Sequence, residues 1–297
     1  MFLLSGAERI LIVVFLCSTM LGFGLQASLE EMRSLLVARG YVFRALFANF
    51  VLVPLVGLGL IRLVPLSHAA GGALLLLACI PGGLGTIKYT RTVKGEASRA
   101  GALFVLLCIL AVPVSPLLLR WAAPASLGFS VPYDRVLAVI ALLILVPLGI
   151  GLLVRRQWPH AAERWPKFLA IVGTVSFLVF MVRTKIFRKE ALGNVSIPAI
   201  GAMLALLLAA MAIGWLLGGP ARSSRQVLAT STSMRNAAFC LAIANSSPAG
   251  EALIAPLLGY TLLMVPPNLV FTLYQNIRAK RAARRTIPPP GDSGHGT

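Results

Sequence analysis

VLATSTSMRNAAFCLAIAN, residues 227–245, is long and apolar enough to lie within a membrane. It nevertheless carries Arg235 at its middle, Asn236 beside it, and the hydroxyl residues Thr230, Ser231, Thr232 and Ser233 immediately upstream. A charge at the bilayer centre costs about 2.5–3.5 kcal/mol on insertion scales. Three things can offset that cost: backbone carbonyls accepting the five guanidinium donors, water in a cavity, or an anion in bidentate contact. Irregular backbone at membrane depth survives only where it is buried in protein or lines a wet cavity. The stretch therefore predicts an interrupted helix inside a bundle.

The rest of the chain supplies that bundle. Hydrophobic residues make up 58% of the 297 positions and charged residues 12%, with a mean hydropathy of +0.87. Soluble domains carry about 25% charged residues, so an integral membrane protein is expected. The net charge of +18 does not point to nucleic acid, because the basic residues punctuate apolar segments without forming a stripe. Cys17, Cys79, Cys108 and Cys240 are widely spaced within apolar runs and read as small buried hydrophobes. His68, His160 and His295 are too scattered for a metal site.

A helix needs about 20 apolar residues to cross a hydrocarbon core of about 30 Å. Nine windows qualify, near 8–26, 41–62, 69–88, 99–119, 134–154, 166–184, 194–218, 226–246 and 252–276. A cleaved signal is the alternative for the first, and Glu8 in its start region argues against it. With the N-terminus outside, eighteen Lys and Arg fall on inner loops and eight on outer ones, which predicts a cytoplasmic C-terminus in an inner or plasma membrane. The outer cluster Arg183–Lys189 is the exception to the pattern. TIPPPGDSGHGT, after Arg285, reads as a disordered cytosolic tail.

The third window is irregular too. CIPGGLGT, residues 79–86, places Pro81, Gly82 and Gly83 where a span should be continuous. Proline removes a donor and glycine loosens the backbone, so a break is expected near 81–86, as it is near 230–236. Two interrupted spans five apart in order point to an inverted repeat with a binding site where they meet. A kinked helix with small packing residues is the plain alternative.

TMLGFGLQASLEEMRSLL (19–36), FANFVLVPLV (47–56), CIPGGLGTIKYTRTVKGE (79–96), AVPVSPLLL (111–119), STSMRNAAFCLAIAN (231–245) and YTLLMVPPNLVFTLYQNI (260–277) together resemble the bile acid:sodium symporter family, over about residues 18–280. The resemblance implies an all-α membrane fold of inverted repeats, here four plus five helices, with a panel domain, a core domain and two crossing broken helices. The expected division is a first panel helix and loop at 1–40, core at 41–126, panel at 127–189, core at 190–278 and a basic tail at 279–297. It also implies alternating-access transport of a small organic anion.

The departures from the family pattern concern its sodium ligands. A Ser-Asn pair expected after the PGG turn is Thr86-Ile87 here. The expected glutamate and glutamine of the second crossing helix are Ser231 and Arg235, a glutamine before the PGG turn is Asn49, and the family asparagine is kept as Asn236. Hydroxyls expected in the fourth span align near Ala100 and Phe104. None of the nine acidic residues lies mid-span. Arg235, with Lys88, is therefore expected to supply the charge that sodium supplies in relatives, leaving no cofactor and an anion bound without sodium. A structural pin on carbonyls is the alternative for Arg235, and snorkelling to the surface for Lys88. Asn236, Asn268, Asn49, Thr86, Ser231 and Ser233 complete the candidate set, with interhelical hydrogen bonding as their alternative role.

Other functions stay open at this point: a sodium-coupled symporter, an arsenite-type efflux permease, or a membrane-bound anion sensor. No cysteine is placed at a break to favour a thiophilic substrate. An enzyme is not expected, since H-E-x-x-H is absent and the two aspartates, Asp134 and Asp292, form no motif.

Overall fold

The computed structural model describes residues 5–27, 29–83, 97–122, 137–138, 141–183, 196–246 and 250–285. They are helical apart from short connections. In chain order the helices are α1 Gly6–Gln26, α2 Leu29–Val37, α3 Arg39–Leu63, α4 His68–Cys79, α5 Ala97–Ala122, α6 Val146–Gln157, α7 Pro159–Arg183, α8 Ile197–Leu217, α9 Arg222–Ser233, α10 Ala237–Ser246, α11 Gly250–Leu263 and α12 Val265–Arg285. Among the described residues six stretches are long and apolar enough to cross a membrane: Gly6–Gln26, Arg39–Leu63, Arg99–Ala122, Ala162–Arg183, Ile197–Leu217 and Ala252–Ala279.

The third and eighth windows form shorter helices. α4 has 12 residues, about 18 Å at 1.5 Å each, and cannot span alone. It stops at Cys79 because Pro81 lacks an N–H and disfavours helical backbone at the residue before it; Ile80 is extended at φ −115°, ψ 95°. Gly82 follows at φ +86°, a conformation costly for a residue with a Cβ. The second break is narrower than expected. Residues 230–233 are still helical, and the chain departs only at Met234, φ −80°, ψ 104°. The four hydroxyls are accommodated without unwinding, because each has a carbonyl three or four residues back within hydrogen-bond reach, including Ser231 to Leu228 at 3.1 Å and Thr232 to Leu228 at 2.8 Å.

Three further differences from the sequence expectation concern where helices begin and end. Residues 29–37 are a charged helix where a loop was expected. The ninth span pauses at Met264 and then continues to Arg285. The sixth begins at Pro159, where the fixed φ of proline suits a first helical position. Two spans also carry a π-helical turn, Ala48–Leu52 and Ala141–Leu145, each placed just before a proline, Pro54 and Pro147. Widening the helix there relieves the clash a proline ring makes with the carbonyl four residues earlier.

Packing separates the helices into two neighbourhoods. α1 lies chiefly against α6 and α7 and only lightly against α5 and α10. Gly24 and Gly151 face each other so closely that a Cβ at either would meet the other helix's backbone. Arg155 closes that end by donating to the Leu25 and Gln26 carbonyls at 3.2 and 2.5 Å. In the other neighbourhood α4 is buried on all sides from Ala70 to Cys79, packed by α3, α5, α8, α10 and α11. Cys79, Cys108 and Cys240 are buried and unbonded as expected, whereas Cys17 is only half-buried on α1.

Candidate functional site

The two breaks lie side by side. Gly83 donates its N–H to the Met234 carbonyl at 2.9 Å, and Asn236 donates to the Ile80 carbonyl at 3.5 Å. A Cβ on Gly83 would run into the Met234 backbone, so glycine is what permits this approach. α4 and α9 thus end at one place, and each helix end leaves carbonyls without intrahelical donors.

Arg235 fills that place. It is 1% exposed. Its Nε donates to the Leu77 carbonyl at 2.7 Å and its Nη2 to the Ala78 carbonyl, both at the end of α4. Its Nη1 donates to Asn49 Oδ1 at 3.0 Å and reaches the Thr232 carbonyl of α9 at 3.5 Å. The acceptors are all neutral oxygens, and among the described residues no carboxylate pairs with the guanidinium. The two helix ends offset the charge. Each helix C-terminus carries roughly half a unit of negative charge, so two converging ends match about one cation.

Two more carbonyls at these helix ends are met by side chains from elsewhere. Ser115 Oγ, between Pro113 and Pro116 of α5, donates to the Cys79 carbonyl at 2.7 Å. Tyr260 of α11 donates to the Ser233 carbonyl at 3.0 Å. Thr232 Oγ1 ties α9 to α8 through the Ala210 carbonyl at 2.7 Å. Ser115 and Tyr260 were not singled out from sequence. The only hint was a hydroxyl residue standing alone inside an apolar run.

The other candidates divide by what their polar atoms do. Asn49, in the first π-helical turn, accepts from Arg235 and donates to the Ala45 carbonyl at 3.0 Å. Ser233 Oγ donates to Asn268 Oδ1 at 2.7 Å, and Asn268 Nδ2 donates to the Met264 carbonyl at 2.9 Å. Among the described residues, Ser231 bonds only back into its own helix. Asn236 differs. Its Oδ1 accepts from the Phe239 N–H at 3.1 Å and so caps α10, while its Nδ2 is buried with no partner among the described residues. Pro81, Gly82 and Gly83 form the first break; Thr86, Ile87 and Lys88 lie outside the described residues, as do Asp134, Lys185–Lys189 and the tail from 286. Where hydroxyls were expected in the fourth span, Ala100 and Phe104 are fully buried, and Phe104 packs on Phe23 with ring centroids 4.7 Å apart.

A bundle of apolar helices enclosing two facing helix breaks is the architecture of a multi-pass membrane transport protein. The chain belongs to the Sodium Bile acid symporter family, whose model matches residues 13–194. It is similar to the uncharacterized sodium-dependent transporter YocS of Bacillus subtilis, 24% identical over 92% of this chain and 81% of that one. It is also similar to the hepatic sodium/bile acid cotransporter of Rattus norvegicus, at 26% over 92% of this chain and 79% of the other. The human sodium-dependent organic anion transporter is 23% identical over 79% of this chain and 64% of its own.

Proposed function

We propose that the protein is a secondary active transporter of a small organic anion, working by alternating access, in which Arg235 stands in for a coupling cation. The observation that carries this reading is the clamp on the guanidinium: carbonyls of two helix C-termini and one amide oxygen surround a positive charge fixed to the chain. Broken-helix transporters use half-helix C-terminal ends and unwound carbonyls for the coupling ion, and half-helix N-termini for anionic groups of the substrate. On this reading Arg235 occupies the ion's position. The substrate anion meets the N-terminus of α10, where Asn236 Nδ2 is a buried donor with no partner among the described residues. Lys88 and Thr86, beyond the first break, are proposed to face the same site.

The wider frame is nine spans arranged as four plus five, with two of them interrupted, at the end of α4 and between α9 and α10. α1, α6 and α7 are proposed as the panel and the remaining helices as the core, moving against each other around the crossing. Their separate packing supports this division. The N-terminus is proposed outside and the C-terminus in the cytosol of an inner or plasma membrane.

Sodium coupling is the second reading, supported by the names of the relatives. Uptake of labelled organic anions into proteoliposomes, with sodium or with choline in its place, separates the two. Equal uptake in choline is expected; a strict sodium requirement would overturn the role given to Arg235. Binding without flux would instead make the protein a sensor.

A further inference from the structure

We propose a site for an anionic membrane phospholipid in the groove between α8 and α12, apart from the crossing. The groove encloses about 370 Å³ and is lined by Leu208, Met211, Ala212 and Trp215 from one helix and Phe271, Tyr274, Gln275 and Arg278 from the other. Both sets follow the spacing i, i+3, i+4, i+7, so each is one continuous helix face. At 1.5 Å per residue the groove runs about 10 Å along the bundle.

Its chemistry changes from one end to the other. Leu208, Met211 and Ala212 make one end apolar. At the other end Trp215 and Phe271 meet edge to face, centroids 5.7 Å apart. The Arg225 guanidinium lies over the Trp215 ring at 5.9 Å, and that of Arg278 over the Tyr274 ring at 5.6 Å. Arg222 donates to Gln275 Oε1 at 3.1 Å beside them, leaving its remaining guanidinium N–H groups without a protein acceptor among the described residues. Three arginines therefore gather at one end, and among the described residues none of them is paired with a carboxylate. Tryptophan and tyrosine mark the headgroup level of a bilayer, and basic pockets between spanning helices suit anionic headgroups. A single molecule with a phosphate at one end and an acyl chain at the other matches both halves of the groove.

The test uses the full chain, purified and delipidated in a neutral detergent. Phosphatidylglycerol and phosphatidylcholine with identical acyl chains are compared by native mass spectrometry and by thermal unfolding. Phosphatidylglycerol is expected to stay bound and raise the midpoint, phosphatidylcholine to do neither. Removing two charges with Arg225→Gln and Arg278→Gln is expected to weaken phosphatidylglycerol retention by roughly tenfold or more. Ala212→Phe, which fills the groove without touching the arginines, is expected to abolish it. A photoreactive phosphatidylglycerol on the unaltered protein should label the peptides carrying Trp215 and Phe271, which answers the question even if a variant does not fold. Equal binding of both lipids, unchanged retention in both variants, or labelling elsewhere would each overturn the site.

Discussion

At the scale of the residue, Arg235 explains how a membrane bundle holds a charge without an acid. The guanidinium caps two helices at once and satisfies acceptors that would otherwise be stranded. Each buried acceptor left without a donor costs about 1–3 kcal/mol. Arg235→Met is therefore expected to lower the thermal midpoint in detergent markedly. Arg235→Lys should cost less, because it keeps the charge while losing the planar fork. Arg235→Gln removes the charge and leaves the ring of oxygens. Its midpoint should rise with added sodium over choline, while that of the unaltered protein should not. A variant indifferent to sodium would mean that the oxygens do not form a cation site. Asn236 separates capping from substrate contact in the same way. Asn236→Ser keeps a capping oxygen, at a stability change expected within about 1 kcal/mol, and lacks the free amide donor, so anion uptake should fall well beyond what the midpoint change explains.

At the scale of the element, the crossing depends on close backbone approach. Gly83 sits against Met234 with no room for a side chain. Gly83→Val is expected to part the two breaks, release the Gly83–Met234 hydrogen bond, and leave little folded protein by size-exclusion chromatography. Replacing Gly59, whose Cβ would meet nothing, with alanine is the matched control and should elute as the unaltered chain does. Both breaks were legible in the sequence, because Pro81-Gly82-Gly83 and a mid-span arginine are local signals. The length of the second break was not. Whether the hydroxyls unwind the helix or bond back into it depends on which carbonyls are free, and composition does not report that. The π-helical turns were likewise hidden, since Pro54 and Pro147 read equally well as simple kinks.

At the scale of the whole molecule, the nine spans we propose would put residues 5 and 285 on opposite sides of the membrane. Ser5→Cys and Arg285→Cys are expected to react with an impermeant maleimide from opposite faces of sealed vesicles, with three of the four native thiols buried. Labelling from the same face would refute the odd count. Two of the proposed spans escape a simple length criterion for a physical reason: the helices that end at Cys79 and Ser233 are stopped at the breaks and are too short to cross alone.

Local chemistry alone determined that this chain lives in a membrane, that two of its spans are interrupted, and that one interruption bears an uncompensated cation, since hydropathy, proline and charge act within a few residues of where they stand. What balances that cation was decided only by folding. Leu77, Ala78, Thr232 and Asn49 lie on three separate helices, Asn49 186 positions from Arg235, and they present nothing but ordinary oxygens. Their partnership comes from where two helix ends happen to point, and helix dipoles and freed carbonyls carry no residue signature until the helices are brought together.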